Sequence, residues 1–353
     1  MNSKIKSINL SGTKQHNSTA FKEISNLYTE STENQKIPRW DDVKQAADRI
    51  KGYIHKTPIM TSQTLNRENE SQLFFKCENF QKTGAFKYRG AVNSVLSLSK
   101  QHIKKGVATH SSGNHGAALA SAALCRQTHA YIVMPENAAA VKITAAQNYG
   151  AQVIFCAPTL KARQDGLERI VQKTGAYFVH PYNNPAIIAG QGTAAMEMIK
   201  EINYLDYIVT PVGGGGLLSG TAIAAKHLRP DIKLIGAEPR LADDAFRSFH
   251  TGKLENACRP TTIADGLRTS LGSLTFSAIN KYVDNIMLVS ETEIIKAMRM
   301  IWERLKILIE PSSAVPVAAV IFNSIRFKGL NIGIILSGGN VQLDRLPWTQ
   351  SAP

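Results

Sequence analysis

Between residues 106 and 179, short apolar runs take turns with stretches of helix length. The apolar runs are 106–110, 130–134, 151–156 and 176–179, and the stretches between them are 113–126, 138–149 and 160–174. Buried runs this short read as strands, and helices between them can carry the chain back across a sheet, so a parallel α/β unit of four strands and three helices is predicted. A second series starts with an apolar run at 207–211, passes a glycine run into a helix over 217–228 and returns as a strand at 233–238. Helices are expected over 291–305 and 313–323, then a strand at 332–336. Upstream, apolar residues at helical spacing predict a helix from about 40 to 54 that the Thr57-Pro58 pair stops, and 72–77 reads as a strand. The expected fold class is α/β in two lobes, parallel-type sheets flanked by helices, with the small lobe inserted in the large one. The large domain would take 37–102 and 180–353, the small domain 103–179, and 1–36 would be a disordered leader.

Composition narrows the function classes. The chain has 353 residues, of which 43% are hydrophobic, enough for two cores. Its formal charge is +14, from 41 Lys+Arg against 27 Asp+Glu. A nucleic-acid footprint would gather those bases on one face with aromatics between them, whereas they are dispersed along this chain and only 7% of it is aromatic. No nucleic-acid partner is expected. No apolar stretch approaches the roughly 18 residues of a membrane span, so no membrane partner is expected either. Cys77, Cys125, Cys156 and Cys258 form no C-x-x-C pair and read as buried thiols of a reducing compartment, the cytoplasm.

Three motifs carry chemistry. Gly213, Gly214, Gly215 and Gly216 stand between a strand and a helix, where bare backbone N–H groups and a helix dipole converge on an anion. The run reads as a phosphate cradle. A dinucleotide fingerprint fits poorly, since the last position falls on Leu218 or Ser219, though Glu238 at the end of the next strand keeps that reading open. No Gly-Lys-Ser/Thr follows for a nucleotide phosphate loop, and a tight turn is the plain alternative. Ser111-Ser112-Gly113-Asn114-His115-Gly116, at another strand-to-helix junction, offers hydroxyls, a carboxamide and helix amides to a carboxylate, or simply caps the helix. Ala85-Phe86-Lys87-Tyr88-Arg89-Gly90 sets a lysine among small and aromatic residues, where desolvation would free its amine as a nucleophile. With a closing Ser337-Gly338-Gly339-Asn340 turn, these describe a site for pyridoxal phosphate holding an amino acid.

Glu78 to Gly90, the Ser-Ser-Gly-Asn-His-Gly block, the tetraglycine and Leu336 to Asn340 together resemble the serine racemase and serine/threonine dehydratase family, pyridoxal phosphate enzymes of fold type II, the tryptophan-synthase-β-like fold. The resemblance runs from about Pro38 to Trp348. It is to the short forms, because the sequence ends just past the last motif. It implies that Lys87 bonds the cofactor and takes the Cα proton on one face, and that Phe86 packs on the cofactor ring. Asn114 would bond the ring hydroxyl, and Gly213 to Gly216 would hold the phosphate. Ser337 would face the ring nitrogen, where a hydroxyl draws less charge from Cα than a carboxylate would and favours loss of a β-leaving group. Ser112 would serve the opposite face in racemisation, while Ser111, Asn114 and Arg163 would hold substrate carboxylates.

The resemblance further implies a divalent cation, Mg²⁺ or else Ca²⁺ or Mn²⁺, on Glu238, the Ala242 carbonyl and Asp244, a segment that would otherwise be an acidic turn. The implied activity is α,β-elimination of water from small β-hydroxy amino acids, whose product hydrolyses to ammonia and a 2-oxo acid, with serine racemisation beside it, in a homodimer; the alternatives are serine racemisation as the main activity, or 3-hydroxyaspartate dehydration. Candidate substrates are L-serine, L-threonine, D-serine and 3-hydroxyaspartate, the last because Arg163 can meet a second carboxylate. The sequence departs from the family pattern at Ala85, where Ser is frequent. It also departs at Tyr182 and Thr269, where animal serine racemases have Asn and Ser.

Overall fold

Among the described residues ten strands form two sheets, and chain order explains how they nest. In the computed structural model, residues 36–349 are described, except 112, 139 and 257–259 and the side chain of Val141. The leader expected over 1–36 therefore lies outside the described residues but for Lys36, as does Cys258. The strands are β1 (Ile59–Met60), β2 (Gln72–Cys77), β3 (Val107–His110), β4 (Ala130–Pro135), β5 (Gln152–Cys156), β6 (Tyr177–Phe178), β7 (Tyr207–Pro211), β8 (Lys233–Pro239), β9 (Asn285–Val289) and β10 (Asn331–Leu336). One sheet has the order β1-β2-β10-β7-β8-β9, parallel except for β1, and the other has the order β5-β4-β3-β6, parallel throughout. The four-stranded sheet is thus built from chain lying between β2 and β7 of the six-stranded one.

Helices cover both sheets, as parallel strands require. The helix Pro311–Ile321, started by a proline whose missing N–H costs nothing there, is buried along most of its length against β7 and β10. The helix Pro185–Glu201 is almost wholly buried between Lys87–Ser97 and Gly216–Leu228. Its approach to Gly216–Leu228 is set by glycine, since a Cβ on Gly220 would fall 2.3 Å from the Ile188 carbonyl oxygen. Lys87–Ser97 shares a core with the four-stranded lobe: Tyr88, Val92 and Val95 pack with Leu119, Ile132 and Met134. The residue that starts this helix is therefore held by both lobes.

Two expectations need correction. The first helix ends at Ile50, not near 54, because Lys51 leaves helical geometry (ψ 127°) and Gly52 turns the chain at φ +85°. Of the thiols, Cys77 and Cys156 are buried on β2 and β5, but Cys125 is exposed at the end of the helix Asn114–Cys125, whose apolar face it does not share.

Candidate active site

Lys87 opens its helix after a stretch that cannot be helical. Thr83 (φ 62°) and Gly84 (φ 71°) are left-handed, Ala85 bridges to Gly338, and the Phe86 N–H donates to the Ser337 carbonyl at 2.9 Å. A Cβ on Gly84 would lie 2.4 Å from Asn340 Oδ1, so the lysine motif and the closing turn are pressed together as only glycine allows. Lys87 Nζ donates to the Pro181 carbonyl at 2.9 Å and lies 5.2 Å from the Phe86 ring centre. Burial pulls its ammonium down to about 8, against the opposing pull of Glu310.

Pro181 is fixed by a residue the motifs did not single out. His180 Nδ1 accepts the N–H groups of Asn183 (2.9 Å) and Tyr182 (3.3 Å), which shapes the turn that receives Lys87. His180, His110 and His115 are all kept neutral, chiefly by burial: His180 well below its ordinary value, His110 at about 4 and His115 at about 3. Lys87 thus faces imidazoles that do not compete with it for charge.

The tetraglycine follows β7 and leads into the helix Gly216–Leu228. Among the described residues, no N–H of Gly213 to Gly216 donates a hydrogen bond to the protein. Packing explains why side chains are missing: a Cβ would meet the Leu267 backbone at Gly213, the Tyr182 ring at Gly214 and Leu271 at Gly215, whose φ is +82°. The turn needs glycine for its own sake, and it also leaves four donors aimed at no acceptor. These donors suit a phosphate. Tyr182 Oη meets Thr269 Oγ1 at 3.0 Å, so two of the sequence's departures form one contact beside this cradle.

Asn114 starts the helix Asn114–Cys125, and its Nδ2 donates to both carboxylate oxygens of Glu310 at 2.8 and 3.1 Å. Asn340 Nδ2 donates to Asn114 Oδ1 (2.9 Å) and to the Thr83 carbonyl (2.8 Å). Glu310, buried and raised to about 7 by burial first and Asp265 second, is the second residue that motif reading missed. Its one signal in sequence was an acidic residue just before the Pro311 that starts a helix. Ser337 is buried, with its Oγ 3.1 Å from Ser313 Oγ, and Ser313 also clasps the Gly338 N–H and carbonyl at 2.7 and 2.6 Å. Ser111 Oγ accepts the Gly113 N–H at 3.3 Å. Arg163, near the start of the helix Leu160–Thr174, makes no side-chain hydrogen bond or ion pair with another described residue, and its charge bears on His110 and Tyr182. Ser112 lies outside the described residues.

The structure therefore brings Lys87, Phe86, Gly213 to Gly216, Ser111, Asn114 and Ser337 to the ends of β3, β7 and β10. The acidic segment is a separate cluster at the end of β8. Glu238 accepts the N–H groups of Ala245 (3.0 Å) and Phe246 (2.7 Å), and Asp244 Oδ2 that of Leu271 (3.2 Å), while Asp244 Oδ1 has no partner. Both are buried and form no ion pair with another described residue, though the charge of Arg247 bears on Asp244, and Ala242 is buried beside them. Burial first, and Asp244 second, push Glu238 up to about 9, and burial pushes Asp244 up to about 7. An orphan carboxylate oxygen beside a second buried carboxylate suits a hard cation. Among the described residues no group of three or more His, Cys, Asp or Glu gathers, so carbonyls or water would complete such a site.

A family model described as pyridoxal-phosphate dependent enzyme matches residues 50–338. The serine racemase of Dictyostelium discoideum is 49% identical over 309 residues, 86% of this chain and 95% of its own length. The beta-hydroxyaspartate dehydratase of Paracoccus denitrificans is 46% identical over 312 residues, 88% of this chain and 99% of its own length. The solved threonine deaminase of T.th. matches with a TM-score of 0.83 at 39% identity, over 87% of this chain and 99% of that one.

Proposed function

Because the chain belongs to the pyridoxal-phosphate dependent enzymes, in the group of serine racemases and serine/threonine dehydratases, we propose that it is a dehydratase of small β-hydroxy amino acids that also racemises serine. The observation that carries this reading is an amine lowered to about 8 at Lys87, set between four unpaired glycine amides and an asparagine already oriented by two partners.

When bound, pyridoxal phosphate supplies an electron sink for the pair left on Cα as its proton departs. Burial lowers the Lys87 ammonium well below an ordinary lysine, so its Nζ can accept that proton near neutral pH. Gly213 to Gly216 would hold the phosphate through their N–H groups, Phe86 would pack on the ring, and Asn114 would meet the ring hydroxyl. Ser337, buried against Ser313, would offer the ring nitrogen a neutral hydroxyl. Ser111, with Asn114, holds the substrate carboxylate, and Ser112 returns a proton on the face opposite Lys87. Elimination does not need that second donor, so ammonia and a 2-oxo acid are the main products. Glu238, Asp244 and the Ala242 carbonyl hold Mg²⁺, or Ca²⁺ or Mn²⁺, apart from the chemistry.

The guanidinium of Arg163, unpaired among the described residues, and the Paracoccus relative favour a second reading within the same chemistry, 3-hydroxyaspartate as substrate. The three described thiols are free, in keeping with a reducing cytoplasm. No helix among the described residues is long and apolar enough to cross a membrane. The deciding experiment follows turnover of L-serine, L-threonine, D-serine and 3-hydroxyaspartate with chiral analysis of what remains. Lys87→Ala is expected to lose the borohydride-trappable cofactor adduct and all turnover. Ser112→Ala is expected to lose D-serine formation and keep L-serine dehydration, and equal racemisation in that variant contradicts the two-base reading.

A further inference from the structure

The segment 103–179 meets the rest of the chain across the cleft with little charge. Among the described residues one salt bridge joins the two: Lys142 on the helix Ala140–Asn148 to Asp265 on the large lobe. Lys142 is the only charged residue of that helix. The pair is partly open to water, with 27% and 45% of the two side chains exposed. Both ends lead to the site. The Lys142 helix packs on Asn114–Cys125 through Ile143 and Ala146, and that helix begins at the asparagine bound to Glu310. At the other end, Asp265 belongs to a short stretch tied down by Gly266 N–H to Ser312 Oγ (3.2 Å) and Arg268 Nε to the Thr262 carbonyl (2.7 Å). Two residues on, Leu267 backs Gly213 of the glycine cradle, and Thr269 meets Tyr182.

We infer that the Lys142–Asp265 pair is a latch across the mouth of the cleft, a positioning pair that sets how far the small lobe carries Ser111 and Asn114 onto the site. It rests on the functional reading above only for the identity of the substrate. Among the described residues, the other direct side-chain contacts across this mouth, Asn114 with the buried Glu310 and with the exposed Asn340, carry no paired charges. The latch also has an electrostatic effect, because Asp265 raises Glu310 and Lys142 opposes that rise. A half-exposed pair is weak and quickly broken, as suits a contact that must open each time a substrate enters. Its strength falls with salt.

The test uses the holoenzyme with Lys142→Met, Asp265→Asn and the exchanged pair Lys142→Asp with Asp265→Lys. Hydrogen–deuterium exchange is read over residues 111–116 and 140–148, and KM and kcat for L-serine are read at low and at about 1 M salt. Each single variant is expected to speed exchange in both segments and raise KM roughly two- to fivefold with little loss of kcat. High salt should erase the difference from wild type, and the exchanged pair should restore slow exchange. If the single variants leave exchange and KM unchanged, or the exchanged pair fails to restore them, the latch is wrong. If exchange behaves as expected but no β-hydroxy amino acid is turned over, the latch stands and the functional reading falls.

Discussion

Glu78 and Glu197 are held within the protein by Arg89 and Lys76, whereas Glu238 and Asp244 are buried with no ion pair among the described residues, although the charge of Arg247 bears on Asp244. Arg89 bonds Glu78 through Nε and Nη2 at 2.7 and 2.8 Å and Glu197 through Nη1 and Nη2 at 2.7 and 2.9 Å, and Lys76 bonds Glu197 at 2.7 Å. Thr57 adds a hydroxyl to Glu78. Two cations answer two carboxylates. Burial works against both Arg89 and Glu197, yet Glu78 and then Glu197 hold Arg89 more basic than usual, and Arg89 and then Lys76 hold Glu197 more acidic. At Glu238 and Asp244 burial wins, and both rise. The first cluster is complete as folded and locks the start of the Lys87 helix to its neighbour Pro185–Glu201. Among the described residues the second has no ion-pair partner and the glycine cradle no acceptor, and these two deficits support the cation and phosphate proposed there.

Breaking the complete cluster should have the largest effect. Arg89→Met leaves two carboxylates and one lysine buried without balance, and urea denaturation should show a loss of about 3–5 kcal/mol. A loss below about 1 kcal/mol would mean that water reaches this cluster. In the incomplete cluster the sign reverses. With chelator present, Asp244→Asn replaces a buried carboxyl raised to about 7 by a neutral amide, so above that pH stability should rise by about 1–3 kcal/mol. A fall of that size would mean that the carboxylate is already compensated.

Glu310 lies between these extremes, with the Asn114 amide as partner but no cation in contact, and it sharpens the comparison through pH. Its value in the fold, about 7, is above its ordinary 4.5, so the folded chain binds the proton more tightly than the unfolded one. The stability this contributes is complete below pH 4.5 and is lost as pH rises through about 7. Between pH 5 and 8 the wild type should lose about 2–3 kcal/mol relative to Glu310→Gln in denaturation experiments. Parallel curves for the two proteins would show that Glu310 is ionised throughout.

Sequence made the local pattern legible and left the long-range pairing hidden. The alternation over 106–179 was readable because buried parallel strands are short apolar runs, and β2, β7 and the helices Leu160–Thr174 and Glu291–Leu305 fall where spacing placed them. The helix Pro185–Glu201 gave no such signal. Nearly every face is buried, so it has no polar side from which to read a period, and its glycines argue against helix until Gly220 is seen against it. In the site, Lys87, the glycine run and Asn114 announced themselves as motifs. Glu310 and Ser313 did not, because each acts through a partner far away in the chain; His180 did not, because its local bonds to Tyr182 and Asn183 gain meaning only once Lys87 is seen to reach Pro181, and Arg89 read merely as a neighbour of Lys87 although its role is set by Glu78 and Glu197. Composition misjudged Cys125, whose exposure depends on which side of its helix meets the core.

The central claim is that Glu238 and Asp244 form a cation site completed by binding. Calorimetric titration of Mg²⁺, and separately Ca²⁺, into chelator-stripped wild type and Asp244→Asn tests it most directly. Saturable binding of one ion per chain is expected in the wild type, with a matching rise in thermal midpoint, and both should be lost in Asp244→Asn. Equal heats in the two proteins, or none in the wild type with either ion, would contradict it.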